Sequence, residues 1–156
     1  MGDGNKDCPN VIALPPLVFG VVLVIGLLVH WFWPIPIGNL QPPRWLGGGL
    51  AASSAVLAIW GERAMRRAGT NIKPTQPTTA IVQDGPFRFS RNPLYLSLTV
   101  LYVGVALMFN ALIPLLLLPP LLVIVHFGIV RREERYLKAK FGSEYTDYCK
   151  RVRRWI

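Results

Sequence analysis

NPLYLSLTVLYVGVALMFNALIPLLLLPPLLVIVHFGIV, residues 92–130, contains no Asp, Glu, Lys or Arg. As one α-helix these residues would extend about 58 Å at 1.5 Å per residue, nearly twice the hydrocarbon core of a bilayer, about 30 Å. The block therefore reads as a hairpin of two spans, about 93–109 and 112–130, with its break near Asn110 to Pro114. Pro119 and Pro120 are expected to kink the second span.

Working outward, residues 8–43 and 45–61 are likewise free of charged side chains. In the whole chain of 156 residues, 52% are hydrophobic and 16% charged, against roughly 25% charged in an ordinary soluble domain. Disorder and a soluble core are excluded as the main reading. The class expected is an all-α integral membrane protein, one membrane domain with four transmembrane helices at about 14–33, 45–60, 93–109 and 112–130. A loop over 62–91 and an amphipathic helical tail over 131–156 complete it. The first apolar run is longer than a signal-peptide core, and Lys6 is offset by Asp3 and Asp7, so it is read as a retained span. Pro34 to Pro43 is too proline-rich for helix and forms the outer loop.

The net charge is +9, from 17 Lys and Arg against 8 Asp and Glu. Such a balance raises nucleic acid as a partner, but its distribution excludes it. With four spans, Lys6, Arg63, Arg66, Arg67, Lys73, Arg88, Arg91 and nine basic residues of the tail share one face, and Arg44 alone falls on the other. This is the positive-inside bias of a multi-pass protein, and it places both termini in the cytoplasm. Cys8 and Cys149 then lie on the reducing side, and with no CxxC or Cys/His cluster no metal is expected. His30 and His126 fall in spans without an evident partner and are assigned to packing or interhelical hydrogen bonding.

Gly47, Gly48, Gly49, Ala51, Ala52, Ser53 and Ser54 make the second span a close-packing helix rather than a ligand groove. The loop over 62–91 exceeds the length of a simple connector, which marks it as functional, and Asp84-Gly85-Pro86 signals a turn within it. In the tail, Leu137, Phe141, Tyr145, Tyr148, Val152 and Trp155 recur on one helical face, broken by Gly142. Two short helices at the cytoplasmic surface are expected, the second capped by Ser143. A basic interfacial anchor for anionic lipid is the simplest role for them.

Two stretches carry chemistry. Asn92 suits an N-cap and Pro93 the first helical position, so a helix begins there, with Arg88 and Arg91 beside its positive dipole end as an anion site. Arg131-Arg132-Glu133-Glu134-Arg135 follows the last span. Its adjacent carboxylates point about 100° apart on a helix, so one can face a cavity while the other pairs at the surface, Glu133 with Lys140 or Glu134 with Lys138.

These residues carry a resemblance. Gly85-Pro86-Phe87-Arg88-Phe89-Ser90-Arg91-Asn92-Pro93-Leu94-Tyr95, the two-span hairpin, Glu133-Glu134-Arg135-Tyr136-Leu137, Phe141-Gly142, Tyr145, Tyr148 and Val152-Arg153-Arg154-Trp155 occur in order. Over roughly residues 84–156 the pattern resembles the isoprenylcysteine carboxyl methyltransferase family and the wider phospholipid methyltransferase-like membrane proteins. The resemblance implies an S-adenosylmethionine-dependent methyltransferase that acts on a lipidic or prenylated acceptor among membrane lipids. By motif match it implies a cofactor pocket of Arg88, Asn92, Pro93, Tyr95, Leu96, Glu133, Glu134, Tyr145 and Tyr148, with Arg91, Arg132 and Glu134 as catalytic candidates. Relatives often carry His where this chain has Asn92 and Gly where it has Ser97, and Asn cannot titrate near neutral pH. A carboxylate acceptor would need no general base, only an arginine to orient it, from Arg88, Arg91, Arg131 or Arg132. Membrane sterol reductases, which use a nicotinamide cofactor, are similar at Arg91-Asn92-Pro93-Leu94-Tyr95 and Tyr148-Cys149-Lys150-Arg151-Val152. Their larger number of spans weighs against that alternative; a non-catalytic membrane scaffold is the third.

Overall fold

The computed structural model describes residues 14–38, 44–71 and 76–155, with no strand among them. Expectations that rest on Lys6, Cys8, residues 39–43, Lys73, Pro74 and Ile156 lie outside the described residues. Six α-helices follow in order: α1 (Pro15–Phe32), α2 (Arg44–Arg67), α3 (Pro93–Met108), α4 (Leu112–Val125), α5 (Arg131–Phe141) and α6 (Ser143–Arg151).

α1 starts on Pro15 and Pro16, whose fixed φ and missing N–H are tolerated in a first turn. The uncharged block over 92–130 is indeed a hairpin, broken between Met108 and Leu112. Asn110 turns the chain in the left-handed region, at φ 49°, where Asn is among the better tolerated residues. Its side-chain oxygen accepts from the Ile37 N–H at 3.2 Å, and the Leu112 N–H donates to the Ile35 carbonyl at 3.1 Å. The α1–α2 connection and the α3–α4 turn are thus joined at one end of the molecule.

Three expectations need correction. α2 does not stop at Trp60 but continues to Arg67, because Gly61 and Ala64 are buried beneath Leu94 and Gly85; charge alone does not end a helix with a packed stripe. The two short tail helices expected after Val130 are present as α5 and α6, but the first is not separate from the last span: α4, with Pro119 and Pro120 inside it, passes without a loop into a π-helical turn, His126–Val130, and then α5. The tail helix therefore grows out of the last apolar helix instead of starting anew at a surface. Finally, Ser143 is the first residue of α6, not its cap; Gly142, at φ 56°, holds the cap position.

α1 and the continuous helix Leu112–Phe141 are long and apolar enough to cross a membrane. The apolar part of the latter ends at Val130, since five consecutive charged residues follow. α3 is apolar but has 16 residues. Large side chains such as Leu17, Val24, Leu28, Leu116, Ile124 and Phe127 are exposed on these helices, the pattern of a lipid-facing surface. The small-residue stripe packs α2 on α3: a Cβ on Gly104 would lie 2.8 Å from the Gly47 carbonyl oxygen. Phe19, Tyr95, Tyr102, Leu121, Val125 and Ile129 form the core. Within it Tyr102 meets Phe19 edge-on at 6.3 Å and donates its hydroxyl to the Pro114 carbonyl at 2.9 Å.

Candidate active site

Asp84-Gly85-Pro86 makes the expected turn, with Gly85 at φ 61° and a short 3-10 helix over Gly85–Arg88. It delivers Arg91 and Asn92 to the start of α3, where Pro93 opens the helix. Asn92 holds the N-cap position, but its side chain does not cap. Its amide donates instead to the Arg154 carbonyl at 2.9 Å. The reason is a competing acceptor: after α6 the chain turns extended at Val152 and runs back beside Ser90–Asn92. The Arg91 N–H donates to the Arg153 carbonyl at 3.0 Å, and the Ser90 hydroxyl to the Arg154 carbonyl at 3.3 Å.

Glu134 sits at the centre of this junction. Arg154 grips its carboxylate with a two-pronged fork, Nε to Oε1 at 2.9 Å and Nη2 to Oε2 at 2.7 Å, while Arg91 Nη1 approaches Oε1 at 3.2 Å. Glu134 is thereby committed to residues distant in sequence and not to Lys138 one turn on, as local spacing suggests. The side chains of Arg91 and Glu134 are 11% and 15% exposed, so this is a largely desolvated pair that removal of one partner would leave uncompensated. Arg91 also donates to the Cys149 sulfur. Its Nε is buried without a hydrogen-bond partner, an uncommon state for a buried donor.

Glu133, about 100° around the helix, accepts the Tyr95 hydroxyl at 2.8 Å. Burial pushes its carboxyl up to about 7, helped by the charge of Glu134 and opposed by the Tyr95 hydrogen bond. Tyr145 and Tyr148 are buried on α6. Burial raises both phenols above their ordinary value, so both are neutral hydroxyl groups at physiological pH, and Tyr148 donates to the Phe87 carbonyl at 2.8 Å.

These groups border a cavity of about 900 Å³, large for a single small-molecule site, which spans roughly 300–1,000 Å³. Arg91, Asn92, Pro93, Tyr95, Glu133, Glu134, Tyr145 and Tyr148 all line it, so most of the residues singled out in sequence come together. Arg88, Leu96 and Arg132 do not line it. Arg88 is exposed and faces Asp84 at 3.4 Å, so it does not join Arg91 in an anion site at the start of α3. Arg131 lies outside as well, over the Phe127 ring at 5.4 Å. Nor do the histidines enter: His30 accepts from the Ile35 N–H at 3.3 Å, and His126 lies against Phe127 and Trp155.

Sequence reasoning missed another part of the lining, formed by Leu14 to Leu17 at the start of α1, by Glu62 and Met65 of α2, and by Thr78 and Ala80 to Val82 of the loop. Nothing local marks them; the length of the 62–91 loop is the one signal that pointed there. Arg154 was missed for a related reason. Three arginines crowd Arg151-Val152-Arg153-Arg154, and only the extended backbone after α6 decides which one turns inward.

The chain is similar to an uncharacterized protein of Haemophilus influenzae, 44% identical over 64 residues that make up 40% of this chain and the whole of that protein. The phospholipid methyltransferase family model matches residues 43–144, from the start of α2 through α5 and into α6. With most of its length matched, this helical chain belongs to the phospholipid methyltransferase family, the isoprenylcysteine carboxyl methyltransferase-like membrane methyltransferases.

Proposed function

We propose that the chain is an S-adenosylmethionine-dependent methyltransferase whose acceptor is lipidic or amphiphilic. In this reading α1, α2, α3 and α4 are four spans of one membrane domain, and the loop over 62–91 and the tail from Arg131 lie on the cytoplasmic side. The observation that carries it is the cavity. One part of its wall holds Arg91, Glu133, Glu134 and the tyrosines, and the other is an apolar surface of Leu14 to Leu17, Met65 and Leu98.

The residues present fit the cofactor. Its sulfonium and ammonium groups are cationic; Glu133 supplies a carboxyl group, the charge of Glu134 being taken up by Arg91 and Arg154, and Tyr95, Tyr145 and Tyr148 offer aromatic faces that attract cations. Its carboxylate needs an N–H donor, and the unpartnered Arg91 Nε is one that burial leaves unsatisfied. When bound, S-adenosylmethionine supplies an activated methyl group. The chain's own share is to hold the two reactants together and keep water out, which for bimolecular reactions is worth about 7–11 kcal/mol at best. The aliphatic wall accommodates an acceptor's hydrocarbon chain, with hydrophobic burial contributing about 0.8 kcal/mol for each CH₂ removed from water.

Thermal unfolding in detergent, with S-adenosylhomocysteine at about 100 times its dissociation constant, should show about 2.7 kcal/mol of added stability. NADP should add none. Stabilisation by NADP alone would shift the assignment to a reductase, and stabilisation by neither, in folded protein, would leave a scaffold.

A further inference from the structure

Arg154 does not line the cavity, yet it bonds to two residues that do, Glu134 and Asn92. Its guanidinium forms the fork on Glu134, at 2.9 and 2.7 Å. Its carbonyl oxygen accepts from the Asn92 amide at 2.9 Å and from the Ser90 hydroxyl at 3.3 Å. The preceding carbonyl, of Arg153, accepts from the Arg91 N–H at 3.0 Å. The following residue, Trp155, packs on the core with its ring 6.3 Å from that of His126 and tilted 34° to it. One residue therefore ties the start of α3 to α5, two elements whose ligand-facing residues are 40 or so positions apart in the chain.

We propose that Arg154 is a positioning residue of the methyltransferase site: its side chain sets the orientation of the Glu134 carboxylate while its backbone seats Asn92, so the cofactor pocket is assembled only with this segment docked. The inference rests on the cofactor reading given above. The chemistry favours orientation over simple charge pairing. A planar guanidinium engages both carboxylate oxygens at once and fixes the plane of the carboxylate, which a lysine ammonium cannot do. Orientation matters here because Arg91 shares Oε1 with Arg154. A carboxylate free to rotate would pull Arg91 with it, and with it the unpartnered Nε of Arg91. The Arg154 side chain is 37% exposed against 15% for Glu134 and does not line the cavity, so Arg154 is the solvent-accessible partner of the pair.

The test measures S-adenosylhomocysteine affinity by calorimetry for wild type, Arg154→Lys, Arg154→Ala, Glu134→Gln and the double variant Glu134→Gln/Arg154→Ala, with ligand-free melting temperatures alongside. In metal sites, loss of the outer partner that orients a ligating group costs about 10–100-fold, and a loss of that order is expected for both Arg154 variants. Adding methylguanidine, which fits the vacated solvent-side space, should restore affinity to Arg154→Ala, whereas methylammonium should not. The double variant should bind no more weakly than Glu134→Gln, because the two residues act as a unit. A merely structural role would lower melting temperature without guanidine-specific rescue. Wild-type affinity in Arg154→Lys, rescue by either cation, or additive losses in the double variant would each overturn the proposal. If Arg154→Ala does not fold, Arg154→Lys decides it alone. Wild-type protein that fails to bind S-adenosylhomocysteine would overturn the cofactor reading and this inference together, whereas binding by wild type and Arg154→Lys alike would overturn this inference only.

Discussion

Glu133 and Glu134 are neighbours in sequence, and the structure gives them opposite surroundings. Glu134 is neutralised by two arginines, while Glu133 receives the Tyr95 hydroxyl and feels the negative charge of Glu134. The consequence is a pH dependence with a definite sign. The Glu133 carboxyl titrates near 7 in the fold against an ordinary 4.5, so the folded protein holds a proton that the unfolded chain has released. Its favourable contribution is complete below pH 4.5 and is lost as pH rises toward 7. At about 1.4 kcal/mol per unit the whole effect is about 3 kcal/mol. Ligand-free protein should therefore melt higher at about pH 5 than at about pH 8, and Glu133→Gln, which keeps an acceptor for Tyr95, should flatten the profile over that window. An unchanged slope in Glu133→Gln would mean that another group titrates. At this scale the sequence was partly legible. Helical geometry suggested that one carboxylate faces a cavity while the other pairs at the surface, yet both line the cavity, and the pairing of Glu134 with Lys138 by i, i+4 spacing gives way to Arg91 and Arg154. Local spacing has no knowledge of Arg91 and Arg154, which arrive from 43 positions before and 20 positions after.

At the scale of elements the legible part was the apolar pattern and the illegible part was continuity. The hairpin, the turn at Asn110 and the breaks at Gly85 and Gly142 follow from length, turn chemistry and φ. The length of α2 and the direct passage of α4 into α5 do not, because absence of charge marks an apolar environment and not the end of a helix. The small residues of α2 illustrate the same division. Sequence predicts close packing for the whole stripe, yet a Cβ at Gly49 would meet nothing within 4 Å, whereas one at Gly104 would lie 2.8 Å from the Gly47 oxygen and 2.9 Å from the Ala51 nitrogen. Backbone atoms cannot yield as a side chain can. Gly104→Val should force α3 away from α2 and cost about 1–3 kcal/mol or more, seen as a lower melting temperature and, since α3 carries Asn92 to Tyr95, weaker S-adenosylhomocysteine binding. Gly49→Ala should be neutral or stabilising by up to about 1 kcal/mol through helix propensity. Equal damage from both would remove the crossing from its place between Gly47 and Gly104.

The molecule as a whole has two unlike ends. The cavity draws on the first turn of α1, the last turns of α2, the first turns of α3 and the start of α5. The opposite end is closed by the bonds of Leu112 to Ile35 and of Ile37 to Asn110. Helices that alternate direction produce this arrangement, and it is what four antiparallel spans require. Charge follows the same division: Arg63, Arg66, Arg67, Arg88 and the tail lie toward the cavity end, and Arg44 begins α2 at the other. In the four-span arrangement proposed above, the positive-inside bias would turn the cavity to the cytoplasm, where a soluble cofactor would be drawn from. α3, at 16 residues, reaches about 24 Å at 1.5 Å per residue, short of the hydrocarbon thickness, a mismatch that local thinning would have to accommodate in the proposed four-span arrangement. The arrangement is open to direct measurement. In a background with Cys8→Ser and Cys149→Ser, single variants Ile35→Cys, Arg67→Cys and Lys138→Cys put one thiol on an exposed position at each place. A membrane-impermeant maleimide applied to intact cells should label Ile35→Cys alone, and Arg67→Cys and Lys138→Cys only after the membrane is opened. Labelling of all three from one side would mean that α1 and α2 enter and leave by the same face, and the four-span arrangement, with the cytoplasmic cavity that depends on it, would fall.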